Sequence, residues 1–276
     1  MRFLPSVHPA DTLGATPTQL RERFLLSGLF VPGEVTLAYW EVDRTVIGGA
    51  VPTGKPLPLP AHPELRAPTF CARRELGVIN LGGAGRVVVD GQEHRLAPHD
   101  GLYIGRGTDE VVFHSDNAAQ PARYYLLSYP AHASFPSRHI AFADIAGDRL
   151  GTPAAANVRV LRKYIAPGLV ESCQLVMGLT MMEPGGVWNT MPSHTHRRRS
   201  EVYCYTGVPA DQVVFHFMGP PDATRHLVLR DSVVVLSPSW SIHSGVGTAP
   251  YAFVWGMGGE NQEFADMDAV AMTDLG

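Results

Sequence analysis

Ser193-His194-Thr195-His196-Arg197-Arg198-Arg199-Ser200-Glu201 decides how this chain is read, because it sets three metal-binding side chains at a spacing that a strand can use. Successive side chains of a β-strand alternate between faces, so His194 and His196, two apart, present both imidazoles to one side. A helix would need them four apart for the same result. Glu201 follows five residues after His196, far enough for the arginine-rich piece to bend and return a carboxylate to the same interior. His243, in Pro238-Ser-Trp240-Ser-Ile-His243, would arrive from a neighbouring strand. Three neutral imidazoles and one carboxylate suit a borderline divalent ion such as zinc, manganese, iron or nickel, and ligand type alone does not choose among them.

Outward from this stretch the sequence reads as short strands separated by turns. Cys173 to Met182, Glu201 to Tyr205, Val213 to Met218, His226 to Leu229, Ser232 to Leu236 and Tyr251 to Met257 are strand candidates in the second half. The first half has the same texture: Leu76 to Leu81, Arg86 to Val89, Gly101 to Ile104, Glu110 to His114 and Tyr124 to Ser128. Gly82 to Gly85 and Asp90-Gly91 punctuate it, and Asp-Gly between alternating residues is a strong hairpin signal. Two consecutive β units of similar size predict an all-β chain, a duplicated sandwich or barrel. Ahead of them Thr16 and Gln19 bracket Pro17 as in a capping box, predicting a helix over 17–27. A strand over 35–42 follows, and the Pro-rich piece 52–68 reads as an extended connector. The expected division is an N-terminal arm over 1–70 with a short helix and strand, a first β unit over 71–150 and a metal-binding unit over 151–276. The first unit's His94, His99 and His114 are separated by strands and turns and have no H-x-H among them, so that unit is expected to hold no ion.

Composition narrows the function classes. The 276 residues carry Lys+Arg 22 against Asp+Glu 26, a net charge of −4, and no basic run exceeds Arg197-Arg198-Arg199. A polyanion binder needs a basic footprint, so neither nucleic acid nor an anionic membrane is an expected partner. No apolar run reaches the roughly 18 to 20 residues of a spanning helix, and the N-terminal residues have no signal-peptide pattern, so a soluble, unexported protein is expected. The three cysteines, Cys71, Cys173 and Cys204, are widely spaced and odd in number, as reduced thiols of a cytoplasmic protein would be.

The ligand spacing resembles the two cupin motifs, G-x5-H-x-H-x3,4-E-x6-G and G-x5-P-x-G-x2-H-x3-N. The ligands fit while the punctuation drifts: Gly186 lies two residues too far from His194, Gly207 one too close to Glu201, and Trp240 and Gly247 stand at the Gly and Asn positions of the second motif. Longer strings are more specific. Trp188 to His196, Arg198 to Tyr205, Ser237 to Gly247, Trp255 to Gln262, Arg74 to Asn80 with Gly82 to Gly85, and Asp43-Arg44 before Gly48-Gly49 look like the 4-deoxy-L-threo-5-hexosulose-uronate ketol-isomerase (5-keto-4-deoxyuronate isomerase) family. The likeness covers nearly the whole chain. Arg197, where an acidic residue is expected, and Ser193, where Cys is common, depart from it. The resemblance implies a duplicated cupin, two double-stranded β-helix (jelly-roll) barrels of which the first is degenerate, with one zinc ion held by His194, His196, Glu201 and His243. It also implies a cytoplasmic homohexamer that converts 5-dehydro-4-deoxy-D-glucuronate to 3-deoxy-D-glycero-2,5-hexodiulosonate in pectin or glycosaminoglycan breakdown.

An aldose–ketose shift moves a proton between C2 and C1 through an enediol(ate). The site must therefore stabilise an oxyanion and shuttle one proton, and a divalent cation meets the first need as a Lewis acid. Isomerisation without redox suits zinc, whose valence is fixed. Strand parity from Glu201 puts Tyr203 and Tyr205 on the ligand face as candidate acid or orienting groups, and Glu201 itself is a candidate base. The substrate carboxylate calls for a cation, with Arg162, Lys163, Arg199 and Arg225 as candidates. His226 is a further candidate base. Two alternatives share the ligand set: the related 5-deoxy-glucuronate isomerase, and an iron-dependent cupin dioxygenase, which would consume oxygen. The Gly82 to Gly85 glycines sit between strands, so they are not a dinucleotide fingerprint.

Overall fold

The computed structural model describes residues 1–276, and the chain is built almost wholly from strands. It divides into two compact units: Met1–Leu4, Gly28–Ala146 and Tyr164–Val176 form the first, and Pro5–Ser27, Gly147–Lys163 and Met177–Gly276 the second.

Each unit is a seven-stranded sheet with a four-stranded partner. In the first, the larger sheet runs in the order Arg2–Leu4, Val35–Trp40, Thr45–Ala50, Tyr124–Pro130, Arg74–Asn80, Gly101–Ile104, Arg138–Ile140, and the smaller Leu57–Pro58, Val111–Ser115, Gly85–Val89, Gln92–Leu96. In the second the orders are Asp148–Leu150, Arg159–Ile165, Val176–Met182, Ala252–Gly259, Arg199–Thr206, Val234–Ser237, Leu25–Leu26, and Trp188–Asn189, Ile242–Gly247, Val214–Gly219, Arg225–Leu229. A two-residue strand, His194–Thr195, pairs separately with Asp268–Ala269. The repeated order bears out the duplicated all-β reading.

The 1–70 arm is corrected. Val35–Trp40, buried at Leu37, Ala38 and Trp40, and Thr45–Ala50, buried throughout, join the first unit's large sheet through Tyr124–Pro130. The helix stops at Phe24, with its capping box formed by Thr16 and Gln19. Leu25 and Leu26 leave it to pair with Val235 and Val234 at the edge of the second unit's sheet. The boundaries at 70 and 150 therefore fall inside units rather than between them. The Pro-rich connector is not all irregular: Leu57 and Pro58 pair with Phe113 and Val112 as an edge strand, where proline is tolerated. Asp90 (φ 46°) and Gly91 (φ 79°) both lie in the left-handed region, as a two-residue hairpin turn requires.

The first unit's core comes from alternate residues such as Leu37, Leu76, Val78, Val87 and Phe113. One buried carboxylate is fully engaged there: Glu75 accepts hydrogen bonds from the amides of Cys173 (2.7 Å), Gln174 (2.7 Å) and Leu175 (2.8 Å) and from the Tyr103 hydroxyl (3.0 Å). Those donors offset the cost of taking the charge out of water and fix the 164–176 segment.

Candidate metal centre

Four side chains of the second unit meet at one point. His194 opens the strand held by Asp268–Ala269, and the chain then turns through Arg197 and Arg198, with the Arg199 amide donating to the His196 carbonyl at 3.0 Å. Glu201 lies on Arg199–Thr206 opposite Ser237 and Met257, and His243 on Ile242–Gly247 opposite Met218. His194 Nε2 stands 3.1 Å from both His196 Nε2 and His243 Nε2, while Glu201 Oε2 is 3.2 Å from His196 Nε2 and 3.1 Å from His243 Nε2. All four ligand atoms fall within 4.8 Å of one another.

This arrangement fits a divalent ion. Donors bound at about 2.0–2.2 Å stand roughly 2.9–3.4 Å from their neighbours, depending on coordination number. The imidazole lone pairs are also aimed inward: His196 Nδ1 donates to the Asp266 carbonyl at 2.8 Å, leaving Nε2 bare, and His243 Nδ1 sits 3.2 Å from Ser237 Oγ. Burial pushes the His194 imidazole down to about 4, with His196 adding to the effect, and holds His243 well below its ordinary value, so both are neutral at pH 7, as a metal-binding imidazole must be. A single shared proton would satisfy one of these close contacts; an ion satisfies all four.

The ligands line a cavity of ≈ 290 Å³ whose walls include Arg159, Thr190, Tyr203, Phe253, Trp255 and Phe264. Tyr203 reaches it as strand parity predicts, with its hydroxyl 3.5 Å from Thr190 Oγ1. Burial, then the neighbouring Glu201 charge, holds its phenol well above the ordinary value, so it stays protonated. Tyr205 shares that face but lies behind the cavity, its hydroxyl 2.8 Å from His216 Nδ1.

None of the four basic residues singled out from the sequence lines the cavity. Arg225 donates to the carbonyls of Thr12, Leu13 and Ala15 and so ties down the N-terminal segment. Arg199 is buried behind the ligands, donating to the Asp266 carbonyl at 2.8 Å. Lys163 lies 4.5 Å from the Phe264 ring centroid and 4.0 Å from Asp148, and Arg162 takes the opposite parity on the same strand. His226 is exposed on its strand. The basic residue that does line the cavity is Arg159, two residues before Leu161 on the lining face of Arg159–Ile165. Strand parity is the signal that finds it, but Arg159, Arg162 and Lys163 break the apolar alternation that marks a strand in sequence. The C-terminal stretch was missed as well. Phe264 and Met267 line the cavity, and Asp266 and Asp268 pair with Arg198, at 2.5 and 3.1 Å respectively. In the first unit His94 is buried on its strand, His99 packs on Phe142 and His114 lies 3.3 Å from Arg86.

Fold and site together define a two-unit cupin-type protein with a three-histidine, one-glutamate metal-type centre in its second unit. The chain belongs to the KduI/IolB family, whose model matches residues 33–273. It is 49% identical over 275 residues to 4-deoxy-L-threo-5-hexosulose-uronate ketol-isomerase of Lachnoclostridium phytofermentans, covering 100% of both chains, and 48% identical over 267 residues to that of Halalkalibacterium halodurans, covering 97% of both. Among solved structures, an IolB-like protein from Salmonella typhimurium superposes with TM-score 0.71 at 14% identity, covering 90% of this chain and 96% of its own. A Bacillus subtilis oxalate decarboxylase variant superposes with TM-score 0.56 at 10% identity, covering 79% and 70%. These two likenesses concern the fold.

Proposed function

We propose that this protein is a metal-dependent ketol-isomerase converting 5-dehydro-4-deoxy-D-glucuronate to 3-deoxy-D-glycero-2,5-hexodiulosonate in uronate or pectin degradation. The observation that carries the reading is the convergence of His194, His196, Glu201 and His243 on a cavity that also presents one arginine and one protonated tyrosine. The full-length relatives bearing the ketol-isomerase name support it.

His194, His196, Glu201 and His243 would hold the ion, which supplies Lewis-acid polarisation of the carbonyl and hydroxyl being interconverted. Zinc is the proposed ion, because the reaction needs no change of valence. Arg159 binds the substrate carboxylate; its half-buried guanidinium donates to the Asn157 carbonyl at 2.8 Å through Nη1, leaving its other donors for a two-pronged grip. Tyr203 donates its hydroxyl proton to the oxygen on which charge develops. Glu201 is the remaining candidate to move the proton from C2 to C1. The apolar walls, Phe253, Trp255 and Phe264 among them, limit water around the reacting carbons. A cytoplasmic homohexamer is the proposed working form. The three cysteines are free, with the Cys71 thiol pushed up to about 12 by burial, and no helix is long and apolar enough to cross a membrane.

Incubating the purified, metal-loaded protein with this uronate and with 5-deoxy-glucuronate, while recording product by NMR and dissolved oxygen by electrode, tests the proposal. Conversion of the first substrate to the ketose without oxygen uptake is expected. Exclusive turnover of the second, or oxygen consumed in step with product, would overturn it.

A further inference from the structure

The duplicated topology lets the metal-ligand positions be traced in the first unit. In the second unit Glu201 pairs with Ser237, the last residue of its strand; in the first, the last residue of the corresponding strand, Ile104, pairs with Leu76. His243 stands four residues before Gly247, which ends its strand opposite Val214. In the first unit Val111 stands four residues before Ser115, which ends its strand opposite Gly85. Two ligand positions are thus held by buried Leu76 and Val111.

The same end of the first unit is strongly basic. A cavity of ≈ 200 Å³ is lined by Tyr39, Glu64, Arg44, Arg73 and Arg74 among others. Arg74 shares the face of Leu76 and Val78 and is only 7% exposed. Its Nε donates to Ser128 Oγ at 3.1 Å, and its Nη2 to the carbonyls of Arg44 (2.6 Å) and Ser128 (2.8 Å), so these contacts take up two of its three nitrogens and leave Nη1 for a ligand. Arg44 and Arg73 are exposed at the rim. The Arg44 guanidinium has no protein partner, and Arg73 reaches the Arg66 carbonyl. Glu64, the one acidic residue in the lining, leans toward His62 at 3.9 Å rather than toward an arginine.

The backbone is bent to make this arrangement. Asp43 (φ 48°) and Arg44 (φ 52°) are consecutive left-handed residues, a conformation that side chains with a Cβ disfavour, and Arg74 grips the carbonyl between that strained pair and the next strand. Solvated surface arginines explain Arg44 and Arg73 but not Arg74, a guanidinium held almost wholly inside the fold at the wall of a cavity.

We infer that the first unit carries a binding site for a small oxyanion, a carboxylate or a phosphate, gripped by Arg44, Arg73 and Arg74 at the end of the fold where the second unit gathers its metal ligands. An oxyanion offers the acceptors that this arginine cluster lacks. Burial holds the Arg74 guanidinium down to about 10, still charged at neutral pH. The inference stands apart from the reading of the metal centre, since it uses no residue of that cavity.

Calorimetric titration of the metal-loaded protein with inorganic phosphate, and separately with D-glucuronate, tests it against the Arg44→Gln/Arg73→Gln protein. The expected result is binding of at least one of the two anions that weakens about tenfold or more in the double variant, with isomerase turnover within about twofold of the parent. Arg44→Gln alone, which breaks no protein contact, should show a smaller loss and guards against misfolding of the double variant. Phosphate without glucuronate identifies a free inorganic or ester phosphate site, and glucuronate without phosphate a uronate site. Binding of neither anion, or binding undiminished by both substitutions, overturns the inference. So does dissociation of the oligomer on substitution without any anion binding, which would assign the arginines to a subunit contact instead.

Discussion

At the scale of single residues, the proposed binding of the ion and of the sugar acid falls to different side chains. Arg159 faces the cavity and touches none of the four ligands, so Arg159→Gln should leave metal content unchanged while raising KM about 10- to 100-fold, the worth of hydrogen bonds to a charged group. Steady-state kinetics beside elemental analysis checks this; a loss of metal would place Arg159 among the groups that build the centre. A second residue reports on stability. His216 is fully buried against Tyr205, and burial alone pushes its imidazole down to about 3. The unfolded chain then binds a proton near pH 6.5 that the folded chain refuses, so stability is complete above pH 6.5 and is lost as pH falls toward 3. The slope approaches about 1.4 kcal/mol per pH unit. Urea titrations between pH 4 and 7 should show this slope, and a His216→Phe protein should show less of it. The cluster of His194, His196, Glu201 and His243 was legible from sequence because its residue types are chemically distinctive and the spacing of the first three is local. Arg159 was not, because an arginine on a half-buried strand is indistinguishable by type from the solvated ones around it.

At the scale of elements, the C-terminal stretch after Glu260 acts as a strap across the centre. Asp266 accepts from both Nε of Arg198 (2.8 Å) and Asn261 Nδ2 (2.6 Å) through its carboxylate, and from His196 Nδ1 through its carbonyl. The Arg198 guanidinium holds the Asp266 carboxyl well below the usual range. Asp266→Asn keeps the backbone acceptor but loses the ion pair, so His196 is less firmly oriented and metal affinity should fall about 10- to 100-fold. Competition with a chelator measures this, and unchanged affinity would reduce the strap to a cover. None of this was visible in the sequence. Arg197 to Arg199 read as one basic run, yet Arg198 turns outward to the strap while Arg199 turns inward beneath it. Short apolar strands bounded by clear turn signals, such as Gly101–Ile104, are legible to the residue. Gln92–Leu96 and Arg159–Ile165 escaped because charged residues interrupt their alternation, and only pairing with a neighbour settles them.

At the scale of the molecule, one topology occurs twice with different chemistry at its end. The duplication was legible as texture, whereas the true division was not, because segments early in the chain complete both sheets. Since His94, His99 and His114 lie apart in the first unit, their joint replacement by Gln should leave turnover within a few-fold of the parent; a loss of several hundred-fold with oligomeric state unchanged would assign catalysis to that half. The central claim is that isomerisation depends on an ion held by His194, His196, Glu201 and His243. Its most direct test is to strip the protein with a chelator, add zinc back in measured steps, and follow ketose formation by NMR. Turnover should rise in proportion to bound zinc, level off at one equivalent per chain, and stay near background throughout in the His243→Ala protein. Full turnover in the stripped protein, or in metal-free His243→Ala, would contradict the account.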